Sequence, residues 1–338
     1  MGNPVLTVIV LAYNQEQYIR QTLNGVLSQK VSYDYRIIVT EDGSTDNTRT
    51  IIQSVIDDNP NIISSFFNDV NLGLTETLKK VVPSLNTKYA CFLGGDDYWV
   101  DEYKLQKQIE ILEKYQNVSF VHTGFQFLIE PENVLGKKME SWTWNMPDGR
   151  IDRLVSFLNH EFTLYPCAST SCFRVKPFVD CYVAHPQLLD YGIGEGTLLH
   201  TSMCMYGGEY VFLPDVTTVY RHRSDSLSHF KDISDQIIFQ LKYLKLKIVV
   251  FKMFCVPESK YCHVVNADLE KNFIMAYSSR NLNALKYTIK EIGLDSSTLQ
   301  SYEYILSSRL KRFIFFWFLR IKNKIKRYLR YDKYKKRI

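Results

Sequence analysis

Three short polar clusters in the N-terminal third combine side chains that chemistry can use. They are Ala12-Tyr13-Asn14, Glu41-Asp42-Gly43-Ser44-Thr45-Asp46 and Gly94-Gly95-Asp96-Asp97-Tyr98-Trp99. Adjacent carboxylates such as Asp96 and Asp97 offer hard oxygen ligands that suit a divalent cation such as Mg2+ or Mn2+. The same pair also suits the cap of a following helix. Gly43 fits a tight turn at positive φ. Farther along, Asp190 and Glu195 flank a glycine-rich stretch. Arg221 and Arg223 carry guanidinium forks that either clamp a diphosphate or pair with surface acids. No GxxxxGK[ST] loop is present, which argues against a P-loop ATPase. Gly192, Gly194 and Gly196 follow no buried strand, so a dinucleotide fold is poorly supported.

Each cluster follows a short apolar run that reads as a buried strand: Leu6 to Leu11, Arg36 to Thr40, and Tyr89 to Leu93. Ile62 to Phe67 is a further strand. Apolar residues at helical spacing predict helices over 15–29, 46–58, 75–85 and 104–115, with Pro83 ending or kinking the third. This alternation predicts an α/β fold with an open, mostly parallel sheet covered by helices. Right-handed crossovers would then bring the strand ends, and the three clusters, to one edge.

Together the clusters closely resemble glycosyltransferase family 2, the inverting transferases of the GT-A fold. The carrying residues are Tyr13-Asn14, then Glu41-Asp42-Gly43-Ser44-Thr45-Asp46, then Gly94-Gly95-Asp96-Asp97-Tyr98-Trp99 followed by Lys104-Leu105-Gln106-Lys107-Gln108. The last stretch is similar to a bacterial subgroup whose loop reads Gly-Asp-Asp-Tyr-Trp. The match is strong over 4–130 and moderate over 185–228. Ile193-Gly194-Glu195-Gly196-Thr197-Leu198 looks like the element that supplies the catalytic base, with Glu195 in place of Asp. Val219-Tyr220-Arg221-His222-Arg223 through Leu227-Ser228 looks like the closing element, with Arg223 at the usual His position. Gly94 and Glu41 also depart from the usual acids.

The resemblance implies a nucleotide-sugar donor, a UDP-sugar being favoured, bound by Ala12, Tyr13, Asn14, Asp42, Gly43, Asp96, Arg221 and Arg223. Asp42 would accept from the uracil N3–H, Tyr13 would stack on the base, and Asp97 with Asp96 would hold Mg2+ or Mn2+. Glu195 would be the base, with Asp190 in reserve. The implied acceptor is a saccharide or lipid-linked saccharide in cell-surface polysaccharide assembly. Trp142 and Trp144, between the two halves, suit either a sugar-stacking or a core role. The competing readings are a non-catalytic nucleotide-sugar-binding scaffold and a sugar nucleotidylyltransferase.

The 338 residues are 46% hydrophobic and 23% charged, which excludes a disordered or collagen-like chain. No run approaches a membrane span, and the N-terminus has no secretory pattern. The seven cysteines lack CxxC spacing and read as reduced structural thiols. The net charge of +5 conceals a split. Residues 309–338 hold thirteen Lys or Arg and one acid, a net +12, leaving −7 on the other 308. That pattern does not suit nucleic acid. It suits a tail that seeks an anionic surface. Leu310, Ile314, Trp317, Ile321, Ile325 and Tyr328 recur at helical spacing within it, as in a helix lying on a membrane. The expected organisation is a catalytic domain over 1–229 (donor half 1–130, acceptor half 131–229), a helical region over 230–308 and a basic amphipathic tail over 309–338. The expected location is cytoplasmic, peripheral to the inner membrane.

Overall fold

The computed structural model describes residues 4–163, 165–191, 194–223, 232–290, 292, 294 and 296–335. The chain divides into two compact units, Met1–Ser226 and Leu227–Ile338.

The first unit opens with β1 (Leu6–Ala12), α1 (Ile19–Leu27), β2 (Tyr35–Asp42), α2 (Thr48–Asp58), β3 (Ile63–Asn68), α3 (Leu74–Val81) and β4 (Tyr89–Gly94). β1 lies between β2 and β4, and β2 pairs with β3, all in parallel. Val8, Ile9, Val10 and Ile37 to Val39 are buried on both faces, as β-branched runs between two helical layers must be. Ile19, Leu23 and Val26 of α1, with Ile52 and Val55 of α2, supply the facing layer. α3 stops early because Pro83 lacks an N–H, and the chain passes into a 3₁₀ turn over Val82–Ser84.

Next come β5 (Tyr98–Trp99), α4 (Lys104–Lys114), β6 (Val118–Ile129), β7 (Val134–Met139), α5 (Arg150–Leu158), β8 (Ser171–Arg174), α6 (Val175–Ala184), α7 (Glu195–Tyr206) and β9 (Glu209–His222). The sheet is mixed rather than mostly parallel, with order β3-β2-β1-β4-β8-β6-β9-β5 and β7 on β6. β8 runs antiparallel to both β4 and β6, β9 runs parallel to β6, and β5 and β7 run antiparallel to β9 and β6. Antiparallel neighbours need no crossover helix, so the βα rhythm that marks residues 6–114 disappears here. Pairing of Tyr98 with Val219 brings the end of β9 against the loop that carries Asp96 and Asp97.

The second unit is helical: α8 (Ile233–Met253), α9 (Glu258–Ser278), α10 (Leu282–Ile289), α11 (Ser296–Leu306) and α12 (Arg309–Lys335). Leu241, Leu244, Leu269, Phe273 and Leu285 form its core, joined by Phe316 and Leu319 of α12. Among the described residues no helix is long and apolar enough to cross a membrane.

Candidate active site

The three clusters meet at the C-terminal ends of β1, β2 and β4. Asn14, at φ +50°, ties two of them together. Its N–H donates to Ser44 Oγ (2.9 Å) and its Oδ1 accepts from the Thr45 N–H (2.8 Å). Gly43 has the expected positive φ of +69°, and a Cβ there would lie 2.2 Å from the Val70 carbonyl carbon, so only glycine fits. Glu41 is fully buried. It accepts from the Ser44 N–H and pairs with Arg49 Nε at 2.6 Å, fixing the turn. Asp46 accepts from the Thr48 and Glu16 N–H groups, closing the same corner. Ala12 is buried at the end of β1, whereas Tyr13 beside it is 42% exposed and free of the core.

Asp42 is the last residue of β2 and is buried. Its carboxylate accepts from Asn68 Nδ2 (2.8 Å) and from the N–H groups of Leu72 (3.0 Å) and Gly73 (2.8 Å), pinning the loop before α3. Sequence reasoning had no means to see these internal partners, because they come from residues 26 to 31 positions away.

Asp96 and Asp97 face the space left by Gly94. A Cβ on Gly94 would stand 3.0 Å from Asp96 Oδ1 and 3.5 Å from Asp97 Oδ2, so a side chain there would crowd both carboxylates. Asp97 is buried and accepts from Ser169 Oγ–H (2.6 Å) and the Arg221 N–H (3.1 Å). Burial, and then the Asp96 charge, push its pKa up to about 8. Burial also raises Asp96, against the pull of Arg223, whose Nη1 lies 3.3 Å from Asp96 Oδ2. Two carboxylates that resist joint ionisation fit a divalent cation, which would relieve them. Among the described residues no cluster of three or more His, Cys, Asp or Glu could hold a metal, so the pair would need oxygens from a ligand or water to complete a shell.

Glu195 opens α7, half-buried, with Gly194 as N-cap. Burial raises its pKa, and the Asp96 charge adds to the rise. The Cys167 thiol, pushed up to about 12 mainly by burial, feels both Asp97 and Glu195. Asp190 stands apart: it is largely exposed and pairs with Lys79 at 2.8 Å. Residues Ile193, Leu227 and Ser228 of the expected motifs lie outside the described residues.

Arg221 is buried, and its two terminal nitrogens are engaged while its Nε finds no partner among the described residues. It pairs with Glu130 at 2.8 Å, bonds to Gln21, and stacks over Tyr18 (4.6 Å) and Tyr98 (5.1 Å). Arg223 lies over the other side of the cluster, 4.8 Å from the Tyr18 ring. A cleft of about 450 Å³ beside them is lined by Asn14, Tyr18, Asp46, Glu130 and Arg223, among others. Trp142 and Trp144 pack in an aromatic core with Tyr210, and Trp144 Nε1–H donates to Ser156 Oγ (3.0 Å).

Ser169, Tyr18 and Glu130 were not singled out by the sequence. Ser169 also accepts the Gly94 N–H (3.3 Å) through its hydroxyl, and its carbonyl accepts Trp99 Nε1–H (2.9 Å). Behind it, buried Gln108 donates to the Val121 and Thr170 carbonyls and accepts from Lys104 Nζ at 2.6 Å. The Lys104 and Gln108 pair was visible as a motif, but its bracing of the Asp97 loop was not.

The chain is 26% identical over 226 residues to the uncharacterized protein Mb1547 of Mycobacterium bovis, covering 66% of this chain and 60% of that protein. It is 26% identical over 137 residues to the Escherichia coli UDP-Glc:alpha-D-GlcNAc-diphosphoundecaprenol beta-1,3-glucosyltransferase WfgD, covering 40% and 51%. The chain thus spans about 60% or less of these relatives' length. Among solved structures, Staphylococcus aureus TarS 1-349 in complex with UDP-GlcNAc shares the fold, with a TM-score of 0.58 at 17% identity over 95% of this chain and 92% of that one. The family model for glycosyl transferase family 2 matches residues 7–175, half of the sequence and all three clusters, and the chain belongs to that family.

Proposed function

We propose that the protein is a metal-dependent, inverting glycosyltransferase. It moves a sugar from a nucleotide diphosphate sugar, a UDP-sugar being favoured, to a saccharide or lipid-linked saccharide in cell-surface polysaccharide assembly. The observation that carries this reading is the Asp96 and Asp97 pair gathered beside Gly94 at the end of β4, with Arg223 3.3 Å from Asp96, in a chain of this family. The names of WfgD and of the TarS complex, with UDP-Glc and UDP-GlcNAc, support the uridine donor. The diphosphoundecaprenol in the WfgD name supports a lipid-linked acceptor.

In this reading residues 1–130 hold the donor, with Tyr13 on the base, Asp42 at the uracil edge and the Ala12-to-Asn14 and Gly43 backbones shaping the pocket. Residues 131–229 bring the acceptor. Asp96 and Asp97 would hold a Mg2+ or Mn2+ ion, which would supply Lewis-acid stabilisation of the departing diphosphate. Arg223 adds positive charge at the same place. An acceptor hydroxyl oxygen attacks the anomeric carbon in line as the carbon–oxygen bond to the diphosphate breaks, and Glu195 takes the hydroxyl proton. One displacement inverts the anomeric configuration. The enzyme works at the cytoplasmic face of the membrane, peripherally attached through residues 309–338.

Thermal shift with UDP, dTDP, GDP and CMP, each with Mn2+ and with EDTA, tests the donor site, since a ligand of the native state raises its melting temperature. A Mn2+-dependent shift with UDP or dTDP is expected. Folded protein that responds to no nucleotide would refute the reading. Nucleotide binding without turnover would favour the scaffold.

A further inference from the structure

We infer that the outward face of the first half of α12 is a membrane-interface surface that lies on an anionic bilayer. This deepens the peripheral attachment proposed above, and it rests on the second unit alone.

The helix is apolar on two sides. One side, Phe315, Phe316 and Leu319, packs into its own unit: Phe316 stacks on Tyr277 (4.5 Å) and Phe315 meets Phe273 (4.8 Å). Lys322 anchors the same side through Glu270 at 2.6 Å. The other side carries Leu310, Phe313, Ile314, Trp317, Phe318 and Ile321, all between 48% and 67% exposed. At about 100° per residue these six fall within an arc of roughly 140°. A helix apolar all round is a buried helix, so the second face requires an occupant.

Charge identifies that occupant. On the same wheel Arg309 and Arg320 border the arc on one side and Lys311 on the other, with Lys322 beside it turned to Glu270, and Lys324 falls on the arc itself just beyond Ile321, where the apolar stretch ends. Arg309, Arg320 and Lys324 are exposed. The Arg320 guanidinium lies over the Phe316 and Trp317 rings (5.6 and 5.9 Å), at the border between the apolar arc and solvent. An apolar, aromatic-rich arc bordered by cations matches a bilayer interface, where rings enter the acyl boundary and cations meet anionic headgroups. A second copy of this chain would instead bring its own +12 tail against this one. The absence of a long apolar span among the described residues fits a helix that lies on the surface.

The test is sedimentation of the full chain with vesicles of phosphatidylcholine, with and without phosphatidylglycerol, at low and high salt. Wild type is expected to bind only the anionic vesicles and to lose binding at high salt. Ile314→Glu with Trp317→Glu is expected to reduce partitioning on the order of 100-fold, with an unchanged melting temperature. Arg309→Gln, Arg320→Gln and Lys324→Gln each reduce it roughly fivefold at low salt. Equal binding to neutral and anionic vesicles, no binding by folded wild type, or full binding by the double variant would overturn the inference. So would a stable dimer in solution that the double variant dissociates, because the face would then belong to a second copy. None of these outcomes touches nucleotide binding, so failure here is distinguishable from failure of the transferase reading. If the double variant unfolds, the lipid and salt dependence of wild type still decides.

Discussion

The two units depart from simple hydrophobic packing in opposite directions. The first draws charge inward. Glu41, Asp97 and Lys104 are almost wholly buried, and Lys104 lies 4.4 Å from the Trp99 ring centre while donating to Gln108. The second unit buries Lys247 against Asp268 in the same way, but its main departure lies outside, in the six apolar side chains displayed by α12. Buried charge costs stability unless it is partnered, and displayed apolar surface forfeits stability that burial would give. Internal partners offset the first cost at Glu41 and Lys104, and in the readings proposed above a ligand would offset it at Asp97 and a bilayer would offset the second. The contrast teaches where to look for function, polar at a sheet edge and apolar on a helix.

The sharpest way to break the contrast is at Glu195. If the first unit's inward charges serve catalysis, Glu195→Gln lowers kcat by roughly 100- to 10,000-fold while the UDP-induced thermal shift persists. The wild-type kcat should rise with pH through a pKa above the ordinary 4.5, because burial and the Asp96 charge disfavour the carboxylate that must accept the proton. An unchanged kcat in the variant would leave the inward charges structural.

The next test contrasts the two sides of α12. Leu319 is fully buried, so Leu319→Ala should cost about 2–5 kcal/mol in chemical denaturation of the full chain. Ile314, 57% exposed, should tolerate Ala within about 0.5 kcal/mol. Equal costs would mean that both sides are packed and the outward face has its occupant already.

The same helix shows what a sequence reveals and what it withholds. Leu310, Ile314, Trp317 and Ile321 were legible as one stripe. The second stripe that packs inward, Phe315, Phe316 and Leu319, was hidden because the segment is apolar nearly all round. In the first unit the parallel strands and their helices were legible over 6–114, since runs such as Leu6–Ala12 are buried on both faces. Helix starts were less so: α1 begins at Ile19, four residues after the expected start at Gln15, because Gln15 bonds to Thr48 and belongs to the corner between clusters. The strands from β5 to β9, most of them paired antiparallel, escaped, because their pairing joins residues as distant as Tyr98 and Val219. The residues of the three N-terminal clusters lie at one sheet edge, whereas Glu195 opens α7 and Asp190 stands apart on Lys79; the partners that hold the clusters came from loops without any signature, as Ser169 did for Asp97.

Ser169 therefore offers a smaller and finer test. Its hydroxyl donates to Asp97 Oδ2 at 2.6 Å, and if Asp97 holds the metal as proposed, removing that support should weaken metal affinity by about 10-fold or more. Ser169→Ala should raise the Mn2+ concentration needed for half-maximal UDP thermal shift by that factor, and Ser169→Thr should restore it. A Mn2+ midpoint that does not move would show that Asp97 is positioned without Ser169.

The smallest effect per step separates the inward charges of the site from a buried group that serves packing only. His200 is fully buried, stacked on Phe157 at 4.5 Å. Its Nε2 stands 2.8 Å from the Pro166 carbonyl, which can only accept, so Nε2 carries the proton and Nδ1 accepts from the Tyr210 hydroxyl at 3.3 Å. Burial pushes its pKa down from 6.5 to about 3. Between those values the unfolded chain binds a proton that the native chain refuses, so stability is full above pH 6.5 and falls as pH drops toward 3. The slope contributed is at most about 1.4 kcal/mol per pH unit. His122, also lowered by burial, adds to the same trend, so the informative quantity is the difference between wild type and His200→Gln. Denaturation at pH 7, 6 and 5 should show a shallower loss in the variant, whatever its stability at pH 7. Identical slopes would mean that His200 is protonated in the native state at pH 5, and the aromatic core around Phe157 and Tyr210 would have to admit a charge that its apolar neighbours give no means of holding.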